Sequence, residues 1–246
     1  LQLTTIPAAA VLQGIRVSGP VTRDQLVAST GLSAATVNRQ VHALAASGLI
    51  VERPDLCDAG AIGRPKNPLT LDRDSLCVAG IHVGARRSVL AIADLGGRTL
   101  YSHAVATPAG PTKAAVEALC AQLKELADRF SGRRLIWGGA AIGGAVDVDT
   151  GVVDHPVLGW RHAEIGPILA RILGGPLSVC EHVEAMAAAE LLITHPRVDG
   201  GSGLFIYARE TAGVALTIDS RVHVPGRGAG TIAHLPVNAQ IGRAHV

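Results

Sequence analysis

The residues best equipped for chemistry with a partner lie between Ser33 and His42, in the run SAATVNRQVH. Ala34, Ala35, Thr36, Asn38, Arg39 and His42 are short or hydrogen-bonding. Val37, Val41 and Leu44 recur between and after them at three- and four-residue steps. That spacing predicts one helix with an apolar face turned to a core and a small polar face turned to solvent. Short side chains on such a face let a backbone approach base edges, while Asn and Arg reach adenine or guanine in a major groove. Ser33, Ala35, Thr36, Asn38, Arg39 and His42 are therefore the predicted DNA-contacting residues.

A second helix must hold that face in place. Leu26 and Val27 supply the apolar positions of a helix before it, and Thr30-Gly31-Leu32-Ser33 supplies the turn. Gly31 tolerates the positive φ of a sharp turn, and Ser33 is a natural N-cap. Residues Pro20 to Ile50 thus read as a helix-turn-helix, the competing reading being a purely structural pair of helices. After the apolar stretch Leu49-Ile50-Val51 comes AGAIGRPKNPLTLD, Ala59 to Asp72. It reads as a hairpin wing with Arg64 and Lys66 flanking Pro65 at its tip, placed for phosphate or a minor groove. The alternative, on composition alone, is an interdomain linker.

The chain of 246 residues is long enough to bury a substantial core and to hold two or three units. A hydrophobic fraction of 48% against 17% charged residues excludes a wholly disordered chain. No uninterrupted apolar run approaches the roughly 18 residues of a membrane helix, so no membrane partner is expected. A net charge of +2 excludes binding by a uniformly basic surface, so contacts with DNA must be local. Aromatic residues, at 2%, are too few for a platform on which single strands stack, which leaves duplex DNA. Cys57, Cys77, Cys120 and Cys180 are far apart and form no C-x-x-C pair, so reduced thiols and a cytoplasmic location are expected.

From Leu76 the pattern changes to β-branched runs: LCVAGIHVG, RSVLAIADLGGRTL and YSHAVATP, parted by short turns. Thr112 to Phe130 places Ala115, Leu119, Leu123, Leu126 and Phe130 on one helical face, and Leu135 to Gly143 reads as a buried strand. The order β-β-β-α-β with glycines at strand ends is that of an actin-like, ribonuclease H-like sugar-kinase fold. The expected class is therefore α/β: a winged helix-turn-helix over residues 1–72, then a kinase-like domain over 76–239.

The stretches that carry a resemblance are the helix-turn-helix, GRPKNPLTLD, GIHVG at Gly80 to Gly84, and AIGGAVDVDTGVV at Ala141 to Val153. LGW at Leu158 to Trp160, CEHVEAMAAAELL at Cys180 to Leu192, GVALTIDSRVH and GAGTIAHLPV complete the set. From about Thr5 to Ala239 the chain resembles the ROK family of repressors, sugar kinases and unassigned reading frames. Members with an added helix-turn-helix are typically sugar-responsive regulators, commonly repressors.

The departures from the kinase pattern are specific. His82 stands where kinases of the family carry the Asp of the first phosphate loop. His182 stands at their catalytic Asp and Glu181 at their sugar-binding Asn. Arg209-Glu210-Thr211 crowds the second phosphate loop, where bare backbone should cradle phosphate. The resemblance therefore implies no kinase activity and no catalytic residue. It implies an effector pocket for a sugar or sugar derivative lined by Gly143, Gly144, Glu181, His182, Thr231 and His234. An alternative for Glu181, His182 and His234 is a plain helix start and a satisfied loop residue.

The resemblance also bears on cofactors and on the ends of the chain. The family's zinc site joins the His at His234 to a downstream cysteine run that does not occur here, so His234 is the one candidate zinc ligand. No cofactor is expected in this chain, and a structural zinc only in a full-length protein. Residues 240–246 read as a non-native tail, because IGRAHV is the in-frame translation of a sequencing-adapter sequence, and the kinase-like domain reads as incomplete at its C-terminal end. The expected partners are a double-stranded operator, a sugar effector and further copies of the chain in a dimer or tetramer. The function these imply is transcriptional regulation, with a sugar kinase bearing a DNA-binding domain and a ligand-independent DNA-binding protein as alternatives.

Overall fold

The computed structural model describes residues 6–57, 66–191, 201–208, 212–218 and 221–223. They fall into two compact units, the first comprising residues up to Cys77 with the turns 93–98 and 132–134, the second the remainder. Among the described residues no helix is long and apolar enough to cross a membrane.

The first unit begins with three helices, α1 (Pro7–Ser18), α2 (Arg23–Thr30) and α3 (Ala34–Ala46). Each start of α2 and α3 is set by a side chain. At Thr22 the hydroxyl accepts from the Gln25 amide while the Gln25 side chain accepts from the Thr22 amide at 2.8 Å, a reciprocal capping box. Ser33 caps α3 by accepting from the Thr36 amide at 3.2 Å. Between them Gly31 sits at φ 68°, the left-handed conformation that ends α2 and turns the chain sharply. The apolar faces meet in one core of Val11, Ile15, Val21, Leu26, Val37, Val41, Leu44, Ile50, Leu69 and Leu71.

After α3 the chain forms β1 (Ile50–Glu52) and, beyond the loop, β2 (Leu69–Leu71). The two strands pair antiparallel, Ile50 opposite Leu71 and Glu52 opposite Leu69, and both give residues to the helical core. The expected tip of this hairpin, with Arg64 and Pro65, lies outside the described residues.

The second unit is built on a five-stranded sheet of order β10-β6-β3-β4-β5, from β3 (Leu76–Val83), β4 (Arg87–Ala93), β5 (Thr99–Ala106), β6 (Arg134–Ile142) and β10 (Leu177–Glu181). Helix α4 (Thr112–Asp128) joins β5 to β6 and buries Ala115, Leu119, Leu123 and Leu126 as its periodicity requires. A meander of β7 (Ala145–Asp147), β8 (Val152–His155) and β9 (Trp160–Glu164) follows β6 and runs into α5 (Ile165–Leu173). At its turn the backbones of Gly151 and Gly166 approach so closely that a Cβ on Gly151 would lie 2.6 Å from the Gly166 Cα. Helix α6 (His182–Ala189) leaves the end of β10. It packs on an antiparallel sheet of β11 (Gly203–Ala208), β12 (Ala212–Ile218) and β13 (Arg221–His223), through Val183, Ala187 and Ala215.

Leu26 is fully buried in the first unit's core. Replacing it with Ala removes buried methyl groups and leaves a cavity, so Leu26→Ala is expected to cost about 2–5 kcal/mol. Chemical denaturation followed by circular dichroism measures it. A change under about 0.5 kcal/mol, the level of an ordinary surface substitution, would contradict the packing.

Candidate functional site

In the first unit α3 presents the face read from its sequence. Ser33, Ala34, Ala35, Asn38, Arg39 and His42 are exposed and Thr36 is half-buried, while Val37, Val41 and Leu44 point inward. The Ser33 and Thr36 hydroxyls lie 3.0 Å apart, so these two are engaged with the helix start and with each other. His42 sets its Nδ1 3.0 Å from the Asn38 carbonyl. Asn38 and His42 border a polar depression completed by Arg23, Asp24, Glu52, Lys66 and Asn67.

Ion pairs organise that depression. The Arg23 guanidinium meets Glu52 at 2.5 Å, and the Asn67 amide donates to the other Glu52 oxygen at 3.0 Å. These two bonds hold the Glu52 carboxyl below its ordinary value. Lys66, expected free for phosphate, is paired with Asp24 at 2.5 Å across the depression. Its positive charge is thus shared with α2. The pairing fits its place at the foot of the hairpin, where it meets the acidic first turn of that helix. Arg64 lies outside the described residues.

In the second unit a cluster of histidines gathers where β3, β6, β8 and β10 end. The parallel register of β10 on β6 sets Glu181 against Ile142, so the next residues, His182 and Gly143, fall side by side. Gly143 has no side chain to keep rings away. A Cβ there would stand 3.2 Å from His182 Nδ1 and 3.4 Å from His155 Nε2. The His82 ring on β3 stands edge-on to His182 with centroids 5.8 Å apart, and Tyr207 on β11 meets His182 edge-on at 5.4 Å.

Burial decides the charge of these groups. It lowers the proton affinity of His82, His155 and His182, and the neighbouring His182 lowers that of His82 further. His155 Nδ1 accepts from the Leu158 amide at 3.2 Å, which leaves the ring proton on Nε2, the nitrogen directed at Gly143. Burial raises Glu181 and raises Glu184 to about 7, in the latter case with help from the Glu181 charge. One Glu181 oxygen caps α6, accepting from the Val183 amide at 2.7 Å and the Glu184 amide at 3.2 Å, and the other lies 3.4 Å from His182 Nδ1. Glu181 therefore performs the helix-start role and also borders the cluster.

The fold thus brings together four of the six expected effector residues, Gly143, Gly144, Glu181 and His182. Thr231 and His234 lie outside the described residues, as does Arg209-Glu210-Thr211 of the crowded loop. His155, Glu184 and Tyr207 belong to the cluster although no sequence signal marks them: each looks like an ordinary strand or helix residue until the strands are paired. His82 also belongs, beyond its place as a missing carboxylate. Among the described residues no group of three or more His, Cys, Asp or Glu has the geometry of a metal site.

Comparison with known proteins agrees with this architecture. The sequence model described as "ROK family" matches residues 78–244. A protein of Mycobacterium tuberculosis named transcriptional regulator Rv0485 is 47% identical over 243 residues, covering 98% of this chain and 56% of the relative. A Mycobacterium bovis protein named transcriptional regulator Mb0495 matches to the same extent. The chain therefore spans little more than half the length of these relatives. A solved ROK family transcriptional regulator, described as a homologue of the E. coli MLC protein, superposes with a TM-score of 0.78 at 22% identity, over 96% of this chain and 60% of that one. The ROK hexokinase from Thermus thermophilus superposes at 0.56 with 26% identity, over 67% of this chain and 55% of that one. The shared fold thus includes regulators and kinases.

The raised Glu184 gives the second unit a pH dependence of definite sign. The folded state holds the proton more tightly than the unfolded one, so this group's contribution is full below about pH 4.5 and is lost as pH rises toward 7. The lowered histidines act oppositely, below their ordinary value of 6.5. Glu184→Gln removes only the carboxylate contribution, so its melting temperature relative to the parent is expected to rise by a few degrees between pH 5 and pH 8. Scanning calorimetry at both pH values measures this, and a pH-independent offset would contradict the burial of a carboxylate there.

Proposed function

Because this chain belongs to the ROK family, whose members include both regulators and sugar kinases, we propose that it is the DNA-binding and sensing part of a transcriptional regulator. The first unit is a winged helix-turn-helix with α3 as recognition helix, and the second is an effector domain without kinase activity. The observation that carries this reading is the exposed face of α3, where Asn38, Arg39 and His42 stand among alanines on a helix whose start is fixed by Ser33. Small side chains allow close approach to a groove, and Asn and Arg offer the paired donors and acceptors that read bases. The mycobacterial relatives named transcriptional regulators support it.

The cluster in the second unit supports the absence of phosphoryl transfer. A kinase needs a carboxylate to orient the hydroxyl and acidic groups to organise metal-bound phosphate. Here imidazoles of lowered proton affinity occupy those places, and the adjacent Glu181 gives one carboxylate oxygen to capping α6. A site that has lost turnover but kept hydrogen-bonding groups suits an effector pocket. We read the regulator as a cytoplasmic homo-oligomer that represses until a carbohydrate derivative binds.

Two measurements test the DNA reading. Asn38→Ala and Arg39→Ala are each expected to cost about 1–3 kcal/mol at the operator and to relax base preference there. Selection of bound duplexes followed by gel-shift titration provides the site and the affinities, and wild-type affinity in both variants would remove α3 from the interface. At the hairpin, Arg64→Ala with Lys66→Ala is expected to weaken binding to all duplexes and to reduce the salt slope by up to about two phosphate contacts, with base preference kept. Lys66 must exchange its Asp24 partner for phosphate, so an unchanged slope would show that the hairpin stays clear of the backbone.

A further inference from the structure

Helix α3 is held at both ends, and the two ends are held by different parts of the chain. Its start is local, capped by Ser33. Its end begins locally too: the Gly48 amide donates to the Ala45 carbonyl at 2.9 Å and the Leu49 amide to the Leu44 carbonyl at 3.0 Å, with Gly48 at φ 75°. This is the paired-bond helix end that a left-handed glycine allows. The last turn of α3 carries no basic residue, although the helix dipole favours a cation there. Arg134, at the start of β6, brings that cation from far along the chain. Its guanidinium donates to the Ser47 carbonyl at 3.1 Å.

A side chain fixes its target only if its own base is fixed, and Arg134 stands in a closed circuit of hydrogen bonds. Just past α3, the Leu49 carbonyl accepts from the Asp72 amide at 3.0 Å. Asp72 Oδ1 accepts from the Asp74 and Ser75 amides at 3.0 and 2.8 Å, which shapes the segment after β2. The Ser75 carbonyl accepts from the Arg134 amide at 2.8 Å, and the Arg134 side chain returns to Ser47. Arg133 beside it donates to the carbonyls of Arg73 and Leu76. All of these residues belong to the first unit, as does the turn 93–98, whose Leu95 packs against the helical core. The unit that carries α3 thus draws on two turns from beyond the hairpin in sequence.

We propose that Arg134 is a positioning residue for base reading, holding the C-terminal end of α3 so that Asn38, Arg39 and His42 meet a groove at a fixed angle. The inference rests on α3 being the recognition helix, as proposed above, and adds a residue outside the helix-turn-helix and hairpin on which that helix depends. A helix of 13 residues that tilts by about 5° about one end moves its midpoint by roughly 1 Å. A displacement of that size takes a base-reading hydrogen bond from its best length out of range. Arg134 resists the tilt from the end opposite Ser33. Its action is on the helix end, so it bears on sequence-specific binding and not on the general attraction to phosphate.

The experiment is gel-shift titration of the full chain carrying Arg134→Ala or Arg134→Lys. Each is titrated on the duplex selected by the unaltered protein and on a duplex of unrelated sequence, at several salt concentrations. Arg134 is exposed, so its replacement leaves folding intact. Arg134→Ala is expected to lower affinity for the selected duplex about threefold to tenfold and to change affinity for the unrelated one by less than about twofold. The salt slope stays the same, because no phosphate contact is lost. Arg134→Lys keeps a cation and a donor for a single carbonyl, so it is expected to recover most of the loss. Hydrogen exchange gives a readout that needs no DNA. The Gly48 and Leu49 amides are expected to exchange about twofold to fivefold faster in Arg134→Ala, and to return toward the parent rate in Arg134→Lys. Unchanged exchange in Arg134→Ala overturns the inference, and so does unchanged affinity for the selected duplex. An equal loss on both duplexes, with the slope reduced by about one, makes Arg134 a phosphate contact and overturns it too. If the unaltered protein selects no duplex, or Asn38→Ala and Arg39→Ala bind it as the parent does, the recognition-helix reading fails and takes the inference with it. A loss in those two variants with none in Arg134→Ala removes the inference alone.

Discussion

The parallel pairing of β10 with β6 is the constraint on which the second unit's site depends. Its register carries Glu181 to Ile142, and one residue further the chain has no choice but to set His182 beside Gly143. A shift by one residue would turn every side chain of β10 to the opposite face. Val179 and Glu181 would then leave the interior, and Ser178 and Cys180 would enter it. The hydrophobic pattern thus locks the register, and the register locks the cluster. Gly143 completes the arrangement by leaving room for the rings of His182 and His155, which any side chain would push apart.

Desolvation then governs the chemistry of that end of the sheet. Burial works against charge on both kinds of group, lowering the histidines and raising Glu181 and Glu184. Glu181 keeps its acidity best served by the backbone amides of α6, where the helix terminus favours a negative oxygen. The helix cap takes one Glu181 oxygen, and the other faces His182 Nδ1 at 3.4 Å.

The first unit solves a different problem, the presentation of a polar helix face at a fixed angle. Its core is small, and the helix starts are set by local hydrogen bonds at Thr22 and Ser33 before any long-range packing is considered. The ion pairs Arg23–Glu52 and Lys66–Asp24 are exposed and contribute little stability, in the range of about 0–1 kcal/mol each. Their value is geometric, since they tie the hairpin strand β1 and the residues before β2 to the first turn of α2.

Much of this protein was legible in the order of its residues, and the part that was not follows from one physical distinction. Helix periods, caps and turn glycines are local, so Val37, Val41 and Leu44, Ser33 and Gly31 announce α3, its start and the turn before it without reference to anything distant. The alternating runs of β3 and the apolar face of α4 are equally local, and a family resemblance added the roles implied for Glu181 and His182. The pairing of Lys66 with Asp24 and the meeting of His82, His155, His182 and Tyr207 are not local. These residues lie on separate strands and helices, and nothing in their immediate neighbours sets them apart from surface or core positions. Only strand order and register bring them together, and burial then lowers the proton affinity of the three histidines.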